Sequence, residues 1–174
     1  MRIIGVIITM SLGLGIATAE AAGPTDPQIA AIVVTANQVD IDAGKLAARR
    51  SHSRDVRDFA QRMVTDHTGV NKSAVALVTK LKVTPEDNPT SLSLKAGGEQ
   101  NLKNLKTLKG AALDKAYVDH EVTYHEQVLD AVDTVLIPNA TNADLKALLV
   151  QVRPAFVAHL EHAKRIQAAL ATKS

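Results

Sequence analysis

The sequence predicts an all-α protein, a four-helix bundle, on three observations. Apolar residues recur at helical spacing through four segments of similar length, and no alternating strand pattern competes. The apolar content is high (46 %) but aromatics make up only 2 %, so alanine, valine and leucine must build the core, which suits packed helices better than a β-sandwich. Helix start signals stand at the head of three of the four segments.

The first segment, "TDPQIAAIVVTANQVDIDAGKLAARR", opens on Asp26 as a candidate N-cap with Pro27 at the first helical position. Ile29, Ile32, Val33, Ala36, Val39, Ala43 and Ala47 then share one face. "SHS" (51–53) breaks the pattern, and Ser53 can cap a second helix over about 54–81, with Val56, Phe59, Ala60, Met63, Val70, Ala74, Leu77, Val78 and Leu81 on its stripe. Residues 82–110 form the one long connection, turn-rich at "VTPEDNPTS", with a short helix expected from Glu99 to Leu108. A third helix spans about 111–136 and stops at Pro138. Thr141 or Asn142 can cap the fourth, about 143–171, in which Pro154 should produce a kink or disturb one turn.

Loop lengths then suggest the topology. Short breaks make helices 1 and 2 an antiparallel pair, and likewise 3 and 4. A helix of about 26 residues is ~39 Å long at 1.5 Å per residue. A connection of the length seen between helices 2 and 3 can cross that distance, which gives the one-crossover, ferritin-like arrangement.

The chain of 174 residues fits one domain with a substantial core. Its N-terminus, "MRIIGVIITMSLGLGIATAEAAG", has a basic start at Arg2, an apolar run from Ile3 to Ala17, and small-residue cleavage patterns ending at Ala19 and Ala21. This reads as a secretory signal peptide over residues 1–22, cleaved near 19–22, leaving one domain over 23–174 and a periplasmic destination. The apolar run is short for a membrane span of ~20 residues, and no second stretch of spanning length follows. Association with the outer membrane stays open.

The formal charge is only +2 and the basic residues are scattered, so no nucleic-acid partner is expected. No other partner and no oligomeric state can be read from the chain. There is no cysteine, so any metal site must use His, Asp and Glu.

Polar residues interrupt every apolar stripe. At 100° per residue, Asp40 falls inside the stripe of helix 1 and His67 inside that of helix 2, with Asp66 at its edge. Glu121 and His125, at i and i+4, lie on the stripe of helix 3, and His159 on that of helix 4, with His162 at its edge. His52 and His120 read as solvent-facing or edge residues. Each central intrusion lies within about four residues, or ~6 Å, of its helix midpoint, so antiparallel packing should bring them to one depth.

Cost favours that gathering. A buried, unpaired polar group costs ~1–3 kcal/mol, and a domain has only ~5–15 kcal/mol of net stability. Gathered in one layer, the five residues can share a cation or form a polar network that fixes helix register. The metal ligands would be His67, His125, His159, Asp40 and Glu121. A histidine-rich set with one or two carboxylates suits a divalent transition ion such as zinc, copper, iron or nickel.

The stretches "NQVDIDAGKLA" (37–47), "VRDFAQRMVTDHTGVN" (56–71), "LDKAYVDHEVTYHEQVL" (113–129) and "VRPAFVAHLEHAKRI" (152–166) together resemble a bacterial family of unknown function, exported ferritin-like helical proteins often labelled predicted outer-membrane proteins. That family tends to carry a carboxylate, usually glutamate, where Asp40 stands; its Asp-His pair matches Asp66 and His67, its helix-3 histidine His125, and its His-Leu pair His159 and Leu160. The chain departs from ferritins, which use Glu-x-x-His pairs around a di-iron centre: here the spacings are Glu121-x-x-x-His125 and His159-x-x-His162. That spacing argues against ferroxidase and iron-storage activity.

Three functions remain open at the level of sequence: an exported metal-binding bundle; a non-catalytic structural or stress-related module of the cell envelope, whose polar layer only specifies the fold; and, ranked last, a metal-free enzyme. No nucleophile elbow, P-loop or dinucleotide fingerprint supports the third.

Overall fold

The computed structural model describes residues 23–172; the expected signal peptide, residues 1–22, lies outside the described residues. Among those residues every regular element is a helix: α1 (Asp26–Arg50), α2 (Arg54–Leu81), α3 (Pro89–Thr107), α4 (Gly110–Ala131), a π-helical turn (Val132–Leu136), the single turn α5 (Ile137–Asn139) and α6 (Ala143–Ala171).

Four local expectations change. Thr25, not Asp26, caps α1, closing a capping box with Gln28. Asp26 serves the far end of the chain instead: its carboxylate accepts the backbone N–H groups of Thr141 and Asn142 and the Thr141 hydroxyl. This ties the start of α1 to the start of α6, where Asn142 caps through the N–H groups of Asp144 and Leu145. The connection holds a full helix rather than a short one, because Asn88 caps it in a box with Ser91 and Pro89 sits at its first turn. The third predicted helix ends as α-helix at Ala131 and continues as π-helix to Leu136. Finally, α6 runs unbroken through Pro154. Pro154 lies on the exposed face, as does Val150 one turn earlier, so water can reach the carbonyl that the missing N–H leaves unpaired.

Contacts at the two ends fix the chain's course. Near the N-terminus of α1, Asn88 donates to the Gln28 carbonyl and Glu86 to that of Pro27. At the other end, the Arg50 guanidinium spans the carbonyls of Leu105, Lys106 and Leu108. Thus α3 runs the full length of α1, parallel to it, and carries the chain from the end of α2 back to the start of α4. The main antiparallel contacts are α1 with α2 and α4 with α6; α3 packs chiefly on α1. Gly110, at φ 55°, makes the turn into α4.

This return explains why α1 is buried on more than one face. Ala30, Ala31 and Ile41 join its predicted stripe in the interior. At mid-length Gly98 lets α3 approach closely: a Cβ there would sit 2.6 Å from Val39 Cγ2. Because Val39 is β-branched and stiff at χ1, Gly98→Ala should destabilise the protein by up to about 2 kcal/mol net, from an overpacking cost of ~1–3 kcal/mol set against a helix-propensity gain of ~1 kcal/mol. Urea unfolding checks this; a raised midpoint would show that α3 is loosely seated.

The core is split. An upper apolar cluster contains Phe59, Met63, Leu113, Tyr117, Val118 and Ile166. A lower one contains Ile29, Ile32, Ala74, Val132, Leu145 and Leu149. Between the clusters lies the polar layer. Among the described residues no helix is long and apolar enough to cross a membrane.

Candidate metal centre

All five candidate ligands are buried, at 3 % exposure or less, and they converge. Ligand atoms of His67, His125 and His159 lie within 4.8 Å of one another, as do those of Asp40, Glu121 and His125. The three imidazole rings form a near-equilateral triangle, with centroids 5.3, 5.5 and 5.6 Å apart. Phe156 stacks on His67 at 5.3 Å and closes one side. The midpoint argument therefore holds: each long helix other than α3 delivers its polar residue to the same depth.

Each histidine has one nitrogen engaged and one left over. Asn37 donates its amide N–H to the Val33 carbonyl at 2.7 Å, which turns its side-chain oxygen toward His67 Nδ1, also at 2.7 Å. An amide oxygen only accepts, so His67 carries its proton on Nδ1. His125 Nδ1 lies 3.0 Å from the Glu121 carbonyl and by the same logic is protonated. His159 Nε2 donates to Asp66 Oδ2 at 2.9 Å. Burial works against the Asp66 carboxylate, yet the hydrogen bonds from His159 and Arg62 hold its pKa below the ordinary value, so it too only accepts.

What remains is His67 Nε2, His125 Nε2 and His159 Nδ1, three buried lone pairs without a hydrogen-bond partner. Burial also keeps the rings neutral: it pulls His67 and His159 down to about 4 and lowers His125. Orientation of each ring by an acceptor on its far nitrogen is the outer-shell arrangement that metal-binding histidines use.

The carboxylates add to the anomaly. Both Glu121 oxygens lack a hydrogen-bond partner although the side chain is fully buried. Burial, and then the facing Asp40 carboxyl, push the Glu121 pKa well up, and burial raises that of Asp40. Asp40 Oδ2 lies 3.4 Å from His67 Nε2, and Glu121 Oε2 3.4 Å from His125 Nδ1. The Tyr117 hydroxyl stands beside Glu121 but closes no hydrogen bond of acceptable geometry.

Among the edge residues, His52 is exposed, while His120 is half-buried and stacked on Tyr124, and His162 is half-buried with its ring edge-on to Phe59. One contributor escapes the sequence reading, and a second takes a role that the sequence does not show. Asn37 lies one turn before Asp40 and is not among the residues of the predicted stripe; its partner His67 is 30 residues away. Asp66, placed at the stripe's edge, turns out to orient His159 across 93 residues.

No curated protein and no solved structure matches the chain. A family model does, over residues 14–166, and on that coverage the chain belongs to the DUF4142 family, a domain of unknown function.

Proposed function

We propose that this protein is an exported, periplasmic helical bundle of the ferritin-like type that binds one divalent transition-metal ion in its central layer. His67, His125 and His159 are the ligands, and Asp40 or Glu121 completes the sphere. One observation carries the reading: three buried imidazoles whose ligand atoms lie within 4.8 Å of one another each have one nitrogen held by an acceptor and the other left without a partner. Neutral nitrogen donors beside carboxylates suit zinc, copper, iron or nickel.

The bundle description is supported by the course of α3, which makes a single lengthwise crossover between two antiparallel pairs. Export is supported by the basic, apolar and small-residue pattern of residues 1–22. The absence of Glu-x-x-His spacing continues to argue against an iron-storage centre.

Metal analysis of protein purified without a nickel column should find about one ion per chain, or one zinc or copper taken up at micromolar concentration. Protein that is metal-free as isolated and refuses both ions would defeat the proposal. It would leave the layer as a fold-specifying network in a non-catalytic envelope module.

A further inference from the structure

Below the polar layer the helices enclose a cavity of about 210 Å³. Its walls are apolar, built by Ile32, Val33, Leu94, Leu149 and Phe156. The π-helical turn supplies Val132 and Leu136; such widened turns recur where helices shape ligand sites. Exposed Thr90 on α3 and Gln127 on α4 line it too and mark its mouth. An apolar cavity of roughly 150 Å³ stays dry and admits benzene, so this one is large enough for a small organic molecule.

The polar lining residues are what select the ligand. Asn37, Asp40 and His67 also reach the cavity. Both polar atoms of the Asn37 side chain are engaged, one by Val33 and one by His67. That leaves His67 Nε2, which is buried and partnerless, and the Asp40 carboxyl. Both sit at the layer as acceptors. A ligand carboxylate would meet neutral imidazoles and no cation, and an ammonium ion would have to shed its water through an apolar channel. A hydroxyl donates and stays neutral.

We propose that this cavity binds a small neutral alcohol or phenol of about seven to ten heavy atoms, a size set by the cavity volume. Its hydroxyl donates to His67 Nε2 or Asp40, and its apolar body lies among α1, α4 and α6. An ion in the layer and the hydroxyl would use the same His67 Nε2 lone pair, so the alcohol site belongs to the metal-free chain; it goes beyond the metal reading and is tested apart from it.

The test is an NMR titration of the metal-free protein, in chelator, with phenol, toluene and benzoate. Phenol should saturate, with the largest shifts at the Asn37 side-chain amide, Tyr124 and Val132. Toluene should bind about tenfold more weakly, and benzoate not measurably. Leu94→Trp, a filling change at a half-buried wall position, should abolish phenol binding while the spectrum stays folded. His67→Phe should bring phenol down to the level of toluene; if that variant does not fold, the Leu94→Trp and toluene comparisons still decide. No saturable phenol binding, equal affinity for phenol and toluene, or phenol binding that persists in Leu94→Trp would each overturn the proposal. None of these outcomes bears on metal uptake.

Discussion

In excess zinc, wild-type protein is expected to melt about 10 °C above its His67→Ala variant, and chelator should shrink that gap to a few degrees. The reasoning is mass action. A ligand that binds only the folded state at about 1,000 times its Kd adds roughly 4 kcal/mol. For a domain of this size each kcal/mol moves the melting temperature by about 2–4 °C. His67 is central to the trio, and its ring is in contact with those of His125, His159 and Phe156. Removing it takes away a ligand and leaves the Asn37 oxygen without its donor. In chelator only that second loss and the cavity remain. Differential scanning fluorimetry with zinc, with copper and with chelator reads all three terms. A gap of the same size under every condition would assign the layer to fold specification alone.

Glu121→Met should act in opposite directions on the two states. With both carboxyl oxygens buried and partnerless, Glu121 destabilises the metal-free chain by about 1–3 kcal/mol. A methionine of similar volume should raise the metal-free melting temperature by about 5 °C, on the scale of a few degrees per kcal/mol, while weakening zinc binding at least tenfold, the usual order for a disturbed metal shell.

The pH profile supplies a second readout. Folded His67 and His159 titrate at about 4, against about 6.5 when unfolded. Between those values the unfolded chain holds more protons, so stability falls as pH drops from about 6.5 toward 4. Glu121 and Asp40 are displaced upward. In their case the folded chain holds more protons above the ordinary carboxylate range, and their contribution is lost as pH rises through their folded values. Metal-free stability therefore carries two opposing terms: a loss from the histidines as pH falls below about 6.5, and a loss from the carboxyls as pH rises above the ordinary carboxylate range. Glu121→Met should remove its share of the carboxyl term and leave the histidine term in place. A variant less stable than wild type in chelator would mean that the carboxyl is already satisfied within a polar network.

Much of this was legible in the chain because helical periodicity is a local signal. On α2, Val56, Phe59, Ala60, Met63 and Ala74 are buried where the 3.6-residue period puts them, and so are Asp40, His67, Glu121, His125 and His159, while Val70 is half-buried. Their common depth followed from helix length alone, since antiparallel helices of equal length align their midpoints. The connection was harder. Its Gly97-Gly98 pair and turn-rich start obscured a helix whose cap, Asn88, is bonded back to α1. Thr25 likewise outcompeted Asp26 as a cap because Asp26 is drawn to Thr141 and Asn142, 115 and 116 residues away.

By itself, then, the sequence determined the helices, their apolar faces and the polar residues that violate them, because all of these depend on neighbours within a turn or two. Only the tertiary structure decided which nitrogen of His67 and of His159 is held and which is left over. That choice is made by Asn37 for His67 and by Asp66 for His159, partners 30 and 93 residues distant. No periodicity along one helix can encode a hydrogen bond to another. It was likewise only in the packed molecule that the π-helical turn and the first half of α3 came together to enclose a cavity beside the layer.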